Sequence, residues 1–178
     1  MNDNRRSVFL ACLVVFFALA ESVVIDLEEA PNGHFLKSGR AFDETAALRK
    51  KANLTDSVAI YVYGYAFPFL HGLNAYVFKY KDSAKITVDS RIIENFSDAE
   101  LEAVLAHEIG HLRGAVLDTA ESRRFNESVF LLSSQTEADR FALDVVGEKN
   151  LEASLKRLGL TDLEVAIRLR QAASLKDN

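Results

Sequence analysis

The sequence predicts an α+β domain in which a small sheet packs against two long helices and short helices follow. Three short segments, residues 58–64, 74–80 and 84–90, are rich in β-branched and aromatic residues and predict a sheet of about three strands, antiparallel or mixed. Two longer segments, residues 100–111 and 127–146, have the apolar spacing of helices. Strands followed by helices are typical of the α+β class.

Composition limits both the size of the fold and its partners. The chain has 178 residues, of which 49% are hydrophobic and 26% charged, as expected for a single globular domain. A net charge of −5 leaves no basic stripe for phosphates, so nucleic acid is not an expected partner. The single cysteine is Cys12, so the rest of the chain can form neither a disulfide nor a zinc–thiolate site.

The N-terminus predicts a secretory signal peptide over residues 1–20. Arg5 and Arg6 precede an apolar run from Val8 to Ala20, which is shorter than the roughly 20 residues of a membrane span. Cleavage after Ala20 would give a secreted or periplasmic protein. The alternative is a retained segment that anchors the protein to the membrane, facing the periplasm.

The remaining chain divides into a lead-in and a domain. Residues 21–40 mix acidic residues with turn formers and predict an exposed lead-in, with His34 at the surface. Residues 41–178 form the predicted domain, which begins with a packing helix from Ala41 to Ala52.

The predicted sheet offers an edge near the middle of the chain. An extended peptide can add to such an edge through backbone hydrogen bonds, which would give broad sequence specificity. The alternative is a structural hairpin without a ligand. His71 precedes the second strand and is either an oxyanion donor or an ordinary loop residue.

The first long helix carries the pattern His-Glu-x-x-His. Ser97 and Glu100 form a predicted capping box at its start. His107 and His111 are four residues apart, so both imidazoles project from one face and can reach a zinc ion about 2.0–2.1 Å away. Glu108 lies beside them and can reach a water in the open coordination position. The pattern predicts zinc-assisted hydrolysis of a peptide bond, with chance spacing of the histidines as the alternative.

Three helices are predicted after this motif. The first covers residues 127–146 and the second residues 151–158, and each stops at a glycine. Thr161 and Glu164 form a second capping box, which starts a final helix to about Ala173.

Three stretches of the chain together resemble a known family. They are Glu100-Leu101-x-Ala103-Val104-Leu105-Ala106-His107-Glu108-x-Gly110-His111, Asn74-Ala75-Tyr76 and Glu137-Ala138-Asp139-Arg140-x-Ala142-Leu143. From Val58 to Val146 the chain resembles the HtpX and CAAX-prenyl-protease family of gluzincin metallopeptidases, including its soluble periplasmic members. The resemblance implies a zincin-like fold and a zinc metalloendopeptidase that cleaves misfolded or misassembled envelope proteins.

The resemblance also exposes a departure at the third metal ligand. The family carries Glu-x-x-x-Asp on the second helix, where the Glu binds zinc and the Asp orients a zinc-bound histidine. Alignment on Asp139 places Gln135 at the ligand position. Glu137 is the nearest carboxylate, but it points roughly 200° away around a regular helix, so it would need a local distortion. Asp139, Glu121 or no third protein ligand remain as further alternatives.

Two functions follow from these residues. In the first, Glu108 acts as the general base of an active zinc peptidase. In the second, the neutral Gln135 holds zinc too weakly, and the protein binds partners along the sheet edge without cleaving them.

Overall fold

The computed structural model describes residues 33–65, 72–79, 83–113 and 127–175, with only the helical backbone described over 127–134. In these ranges no helix is both long and apolar enough to cross a membrane.

Several predicted features fall outside the described residues. They are the signal peptide, most of the lead-in, His71 and Glu121.

The described residues form four strands and six helices. The strands are β1 (His34–Phe35), β2 (Ser57–Tyr63), β3 (Ala75–Lys79) and β4 (Ser83–Asp89). The helices are α1 (Arg40–Lys51), α2 (Ser90–Asn95), α3 (Asp98–Arg113), α4 (Glu127–Val146), α5 (Glu148–Arg157) and α6 (Asp162–Ser174). The α+β class with a small mixed sheet is confirmed.

The sheet has the strand order β1-β2-β4-β3, in which β2 and β4 are parallel and the other two pairs are antiparallel. It has one strand more than predicted, because the lead-in contributes β1 through the pairing of His34 with Val62. Two residues are too few to show an alternating pattern, so this strand could not be predicted from periodicity. β3 forms one edge of the sheet among the described residues.

Helix α2 was also not predicted. Asp89 ends β4 and caps α2, since its side chain accepts a hydrogen bond of 2.9 Å from the backbone N–H of Arg91. Ile92 is fully buried and holds this short helix on the core.

The core lies between the inner face of the sheet and helices α1 and α3. Ile60 and Ile86 pair across β2 and β4, and they pack into one apolar cluster with Leu101 and Leu105 of α3. All four side chains are at most 1% exposed. This packing fixes α3 against the sheet, with β3 beside it.

The two predicted capping boxes are confirmed, whereas the helix predicted to start at residue 151 begins at Glu148. The Ser97 N–H donates to Glu100 Oε2 at 2.8 Å, and the Glu100 N–H donates to Ser97 Oγ at 3.3 Å. Thr161 and Glu164 form the same reciprocal pair at the start of α6. Each box satisfies backbone donors that a helix start otherwise leaves unpaired.

Gly110 lets α3 and α4 approach closely. A Cβ atom at this position would lie 2.7 Å from Cα and 2.8 Å from the carbonyl oxygen of Ala138. Only a glycine leaves room for the backbone of α4 at this distance. The contact brings the segment of α4 that contains Gln135 and Asp139 up to the histidines of α3.

Candidate active site

His107 and His111 lie on successive turns of α3 and face each other. Their Nε2 atoms are 3.1 Å apart, and the two rings are nearly perpendicular, with an interplanar angle of 84°. Two nitrogens bound to one tetrahedral zinc at 2.0–2.1 Å would be about 3.3 Å apart. The pair therefore fits two positions of such a metal with little movement.

Asp139 lies against the outer nitrogen of His107. Its Oδ1 is 2.8 Å from His107 Nδ1, although the ring N–H does not point straight at this oxygen. Asp139 is only 1% exposed. A carboxylate at this position holds the imidazole with its proton on Nδ1, which leaves Nε2 as the ligand atom.

Arg168 of α6 contacts the other side of the same carboxylate. Its Nε donates to Asp139 Oδ2 at 2.6 Å, and its Nη2 donates to Asp139 Oδ1 at 2.6 Å. Burial by itself would raise the pKa of Asp139, but the contacts with His107 and Arg168 outweigh it and hold the pKa below its ordinary value. Asp139 is therefore a buried carboxylate stabilised in its charged form.

Glu108 is buried, with 5% of its surface exposed, and lines the same cavity as the two histidines. Burial raises the pKa of its carboxyl, and electrostatic interactions with His107 and Arg168 act in the opposite direction. A carboxylate with a raised pKa is a stronger base, which suits a group that must accept a proton.

His111 is set up to stay neutral. Its pKa is lowered from 6.5 to about 4, mainly by burial and also by His107 and Arg168, while Asp139 acts in the opposite direction. A neutral imidazole is the form that binds a metal.

The low pKa of His111 predicts acid sensitivity of the metal-free protein. The unfolded chain binds this proton more tightly than the folded chain, because the folded pKa of about 4 lies below 6.5. Stability is thus lost as the pH falls from 6.5 towards 4, by about 2 kcal/mol at pH 5. The raised pKa of Glu108 has the opposite effect on stability, so the contribution of His111 is isolated by comparing the wild type with His111→Gln. We expect the free energy of unfolding to fall more in the wild type than in this variant between pH 7 and pH 5. Urea unfolding of both proteins with a chelator, at pH 7 and at pH 5, measures these free energies. A difference between wild type and variant that is the same at both pH values would contradict the prediction.

The structure places the two candidate third ligands on different sides of α4. Gln135 lines the cavity with His107 and His111, and its Oε1 accepts a hydrogen bond of 3.2 Å from Arg168. Glu137 lines a separate pocket. This placement does not support Glu137 as a ligand and leaves Gln135 as the candidate.

The donor set fits a metal only if the glutamine takes part. Among the described residues, no group of three or more His, Cys, Asp and Glu side chains could hold a metal ion. The two imidazoles of His107 and His111 and the amide group of Gln135 line one cavity and offer three neutral donors. Zinc accepts nitrogen and oxygen ligands of these kinds, so the residues present fit it.

The cavity has a volume of about 460 Å³ and lies between β3 and helix α5. On the sheet side, Ala75, Tyr76 and Val77 of β3 line it. On the opposite side, apolar residues of α5 and of the turn after it form the wall: Leu151, Leu155, Leu158 and Leu160. The histidines thus open onto a cleft between a strand edge and an apolar wall.

Part of the chain matches the sequence model of a known protein family. Residues 64–132 match the sequence model of Peptidase family M48. This match supports the M48 metallopeptidase family. M48 peptidases are in general zinc-dependent proteases that act on protein or peptide substrates. Among curated proteins no match to the chain is found.

The M48 match covers β3, β4 and α3 with its His-Glu-x-x-His motif, and it ends within α4. Gln135, Asp139 and Arg168 therefore lie beyond it. Metallopeptidase activity in general is supported for this chain, whereas the third ligand rests on the geometry alone.

Arg168 was not predicted as a site residue. It lies between Val165 and Ala172, which are both buried on the inner face of α6. A cation on an otherwise apolar face signals a buried partner. That signal was available, but the identity of the partner was not.

Proposed function

We propose that this chain is a zinc-dependent metalloendopeptidase, with His107 and His111 as metal ligands and Glu108 as general base. The observation that carries the proposal is the 3.1 Å approach of the two Nε2 atoms in one cavity with a buried Glu108. Zinc, when bound, lowers the pKa of water to about 7 and polarises a carbonyl group. The match to Peptidase family M48 supports this chemistry.

The residues of the chain divide the remaining work. Glu108 takes a proton from the attacking water and passes it to the leaving amine, and its raised pKa favours the first step. Asp139 orients His107 through Nδ1. The leucines of α5 line the cleft beside these groups, and an apolar lining strengthens electrostatic interactions near it.

We assign the substrate strand to the edge of β3. This strand pairs with β4 on one side, and no other strand in the described part of the chain pairs with its second side. A peptide that adds there in an extended conformation would run past Ala75 and Val77, next to His107. Backbone pairing selects a peptide for its extended conformation and much less for its side chains. This selection favours unfolded proteins as substrates.

The family subtype and the location are part of this proposal. The residues around His107 support an HtpX or CAAX-prenyl-protease-like member, and the predicted signal peptide supports a periplasmic or secreted protein that acts in envelope protein quality control. N-terminal sequencing of the exported protein is expected to find Glu21 first. An intact Met1 would favour the membrane-anchored form.

The third ligand is tested by zinc affinity. We expect Gln135→Glu to tighten zinc binding about tenfold or more, because a carboxylate adds negative charge directly at the metal. Glu137→Ala, two residues away on the same helix, should leave the affinity unchanged, since Glu137 lines another pocket. Competition with a chelating dye measures both variants. A loss of zinc in Glu137→Ala alone would instead make Glu137 the ligand.

A second candidate function is partner binding without cleavage. It is favoured by one observation: with the neutral Gln135 at the third-ligand position, no group of three or more His, Cys, Asp and Glu side chains among the described residues could hold a metal ion. In that case the protein would bind unfolded polypeptides through β3, and added zinc would not produce cleavage. Proteolysis that Glu108→Gln abolishes would refute this function.

A further inference from the structure

Arg168 is the only residue of α6 with described side-chain hydrogen bonds to the candidate site. Its guanidinium makes three of them, two to Asp139 and one to Gln135, although α6 lies beyond the segment that matches Peptidase family M48. The Arg168 side chain is 24% exposed and the Asp139 side chain 1% exposed. The contact is therefore largely shielded from water, where charged hydrogen bonds are strong.

The geometry of the pair restricts the carboxylate. Arg168 Nε and Nη2 donate to different oxygens of Asp139, which fixes the plane of the carboxylate. Asp139 Oδ1 is shared, since it also lies 2.8 Å from His107 Nδ1. The position of Arg168 therefore determines how Asp139 Oδ1 is oriented towards the imidazole of His107.

The third hydrogen bond acts on Gln135. The amide oxygen of Gln135 accepts from Arg168 Nη2, the same nitrogen that donates to Asp139. A glutamine amide can otherwise turn over and exchange its oxygen for its NH2 group. Arg168 keeps the oxygen, which is the only atom of this amide able to bind a metal, on the side of Asp139.

We propose that Arg168 is a positioning residue that fixes the proton of His107 on Nδ1 through Asp139 and fixes the orientation of the Gln135 amide. Its effect on zinc binding rests on the proposed function, whereas its effect on the His107 proton does not. An arginine is required because its two N–H groups match the carboxylate, and a lysine offers a single point of charge.

Three roles of Arg168 predict different effects of its replacement. A simple positive charge near the metal would repel zinc, so its removal would tighten zinc binding. If Arg168 were only a structural link between α6 and α4, its removal would change stability but would leave the site of the His107 proton and the zinc affinity unchanged. A positioning residue would change the site of the His107 proton and weaken zinc binding.

The first measurement uses the metal-free full chain. Nitrogen-15 NMR of the histidine rings at pH 8 reports which nitrogen carries the proton. We expect His107 to be protonated at Nδ1 in the wild type and to be a mixture of both tautomers in Arg168→Met. Arg168→Lys, which keeps the charge, should not restore the wild-type tautomer. Arg170→Met is the matched control, because Arg170 lies on the same helix but is exposed and lines a different pocket.

The second measurement is zinc affinity of the same variants. We expect Arg168→Met to weaken zinc binding about 10- to 100-fold, as loss of a partner behind a metal-bound histidine commonly does. Arg170→Met, with the same change in charge, should leave it within a factor of two.

The results separate this proposal from the proposed function. A wild type that binds no zinc would contradict the proposed function, and the tautomer of His107 would still decide the role of Arg168. An unchanged tautomer in both Arg168 variants, or tighter zinc binding in Arg168→Met, would overturn the proposal. If Arg168→Met fails to fold, Arg168→Lys alone decides, since a wild-type tautomer in that variant would show that charge is sufficient.

Discussion

Glu108→Gln is expected to lower casein cleavage by about 100- to 10,000-fold, the usual contribution of a general base. Glutamine has nearly the same shape but cannot accept the proton of the attacking water. Because Glu108 is buried and its pKa is raised, removing its charge also removes a desolvation cost. Thermal stability should therefore stay the same or rise, so that the loss of activity cannot be ascribed to unfolding.

The matched control is Glu102→Gln on the same helix. Glu102 pairs with Lys51 at the surface and does not line the cavity. Its substitution should leave cleavage within a factor of two, because surface ion pairs contribute little. Cleavage by Glu108→Gln at close to the wild-type rate would remove Glu108 from the mechanism.

Gly110→Ala is expected to destabilise the fold by about 3 kcal/mol, at the upper end for adding a methyl group to a packed interior. Alanine is the better helix former by about 1 kcal/mol, so helix propensity alone would predict the opposite sign. The new Cβ would instead lie 2.7 Å from Ala138 Cα, and a backbone atom cannot turn aside as a side chain can. Urea unfolding measures the change in the free energy of unfolding.

The same substitution should also weaken the site. Moving α4 away from α3 would separate Asp139 from His107, so we expect weaker zinc binding as well as lower stability. Gly64→Ala is the control, since its Cβ would meet only Ser90 Oγ at an ordinary 3.5 Å. Unchanged stability in Gly110→Ala would show that α3 and α4 are not held as closely as described.

The parts of the fold that the sequence predicted correctly depend on local signals. The capping boxes at Ser97 and Thr161 act between residues three apart, and both are present in the structure. The predicted end of α4 at Val146 is confirmed, because Gly147 follows it directly. Helical phase likewise separates Gln135 from Glu137, which line different pockets.

The parts that were not predicted depend on contacts between distant residues. Asp139 and Arg168 are 29 positions apart and on different helices, so no pattern within either helix relates them. The apolar wall of α5 carries the same leucine spacing as any packed helix, and only the fold shows that some of these leucines face a cleft. Strand β1 gains its partner, β2, from a segment more than 20 residues later in the chain.

Casein cleavage on removal and return of zinc tests the central proposal most directly. The wild-type protein is treated with a chelator, dialysed, and assayed with and without one equivalent of zinc, with Glu108→Gln alongside. We expect cleavage to be lost with the metal and restored by zinc in the wild type only. If zinc binds at one ion per chain and neither protein cleaves casein, the peptidase proposal is contradicted.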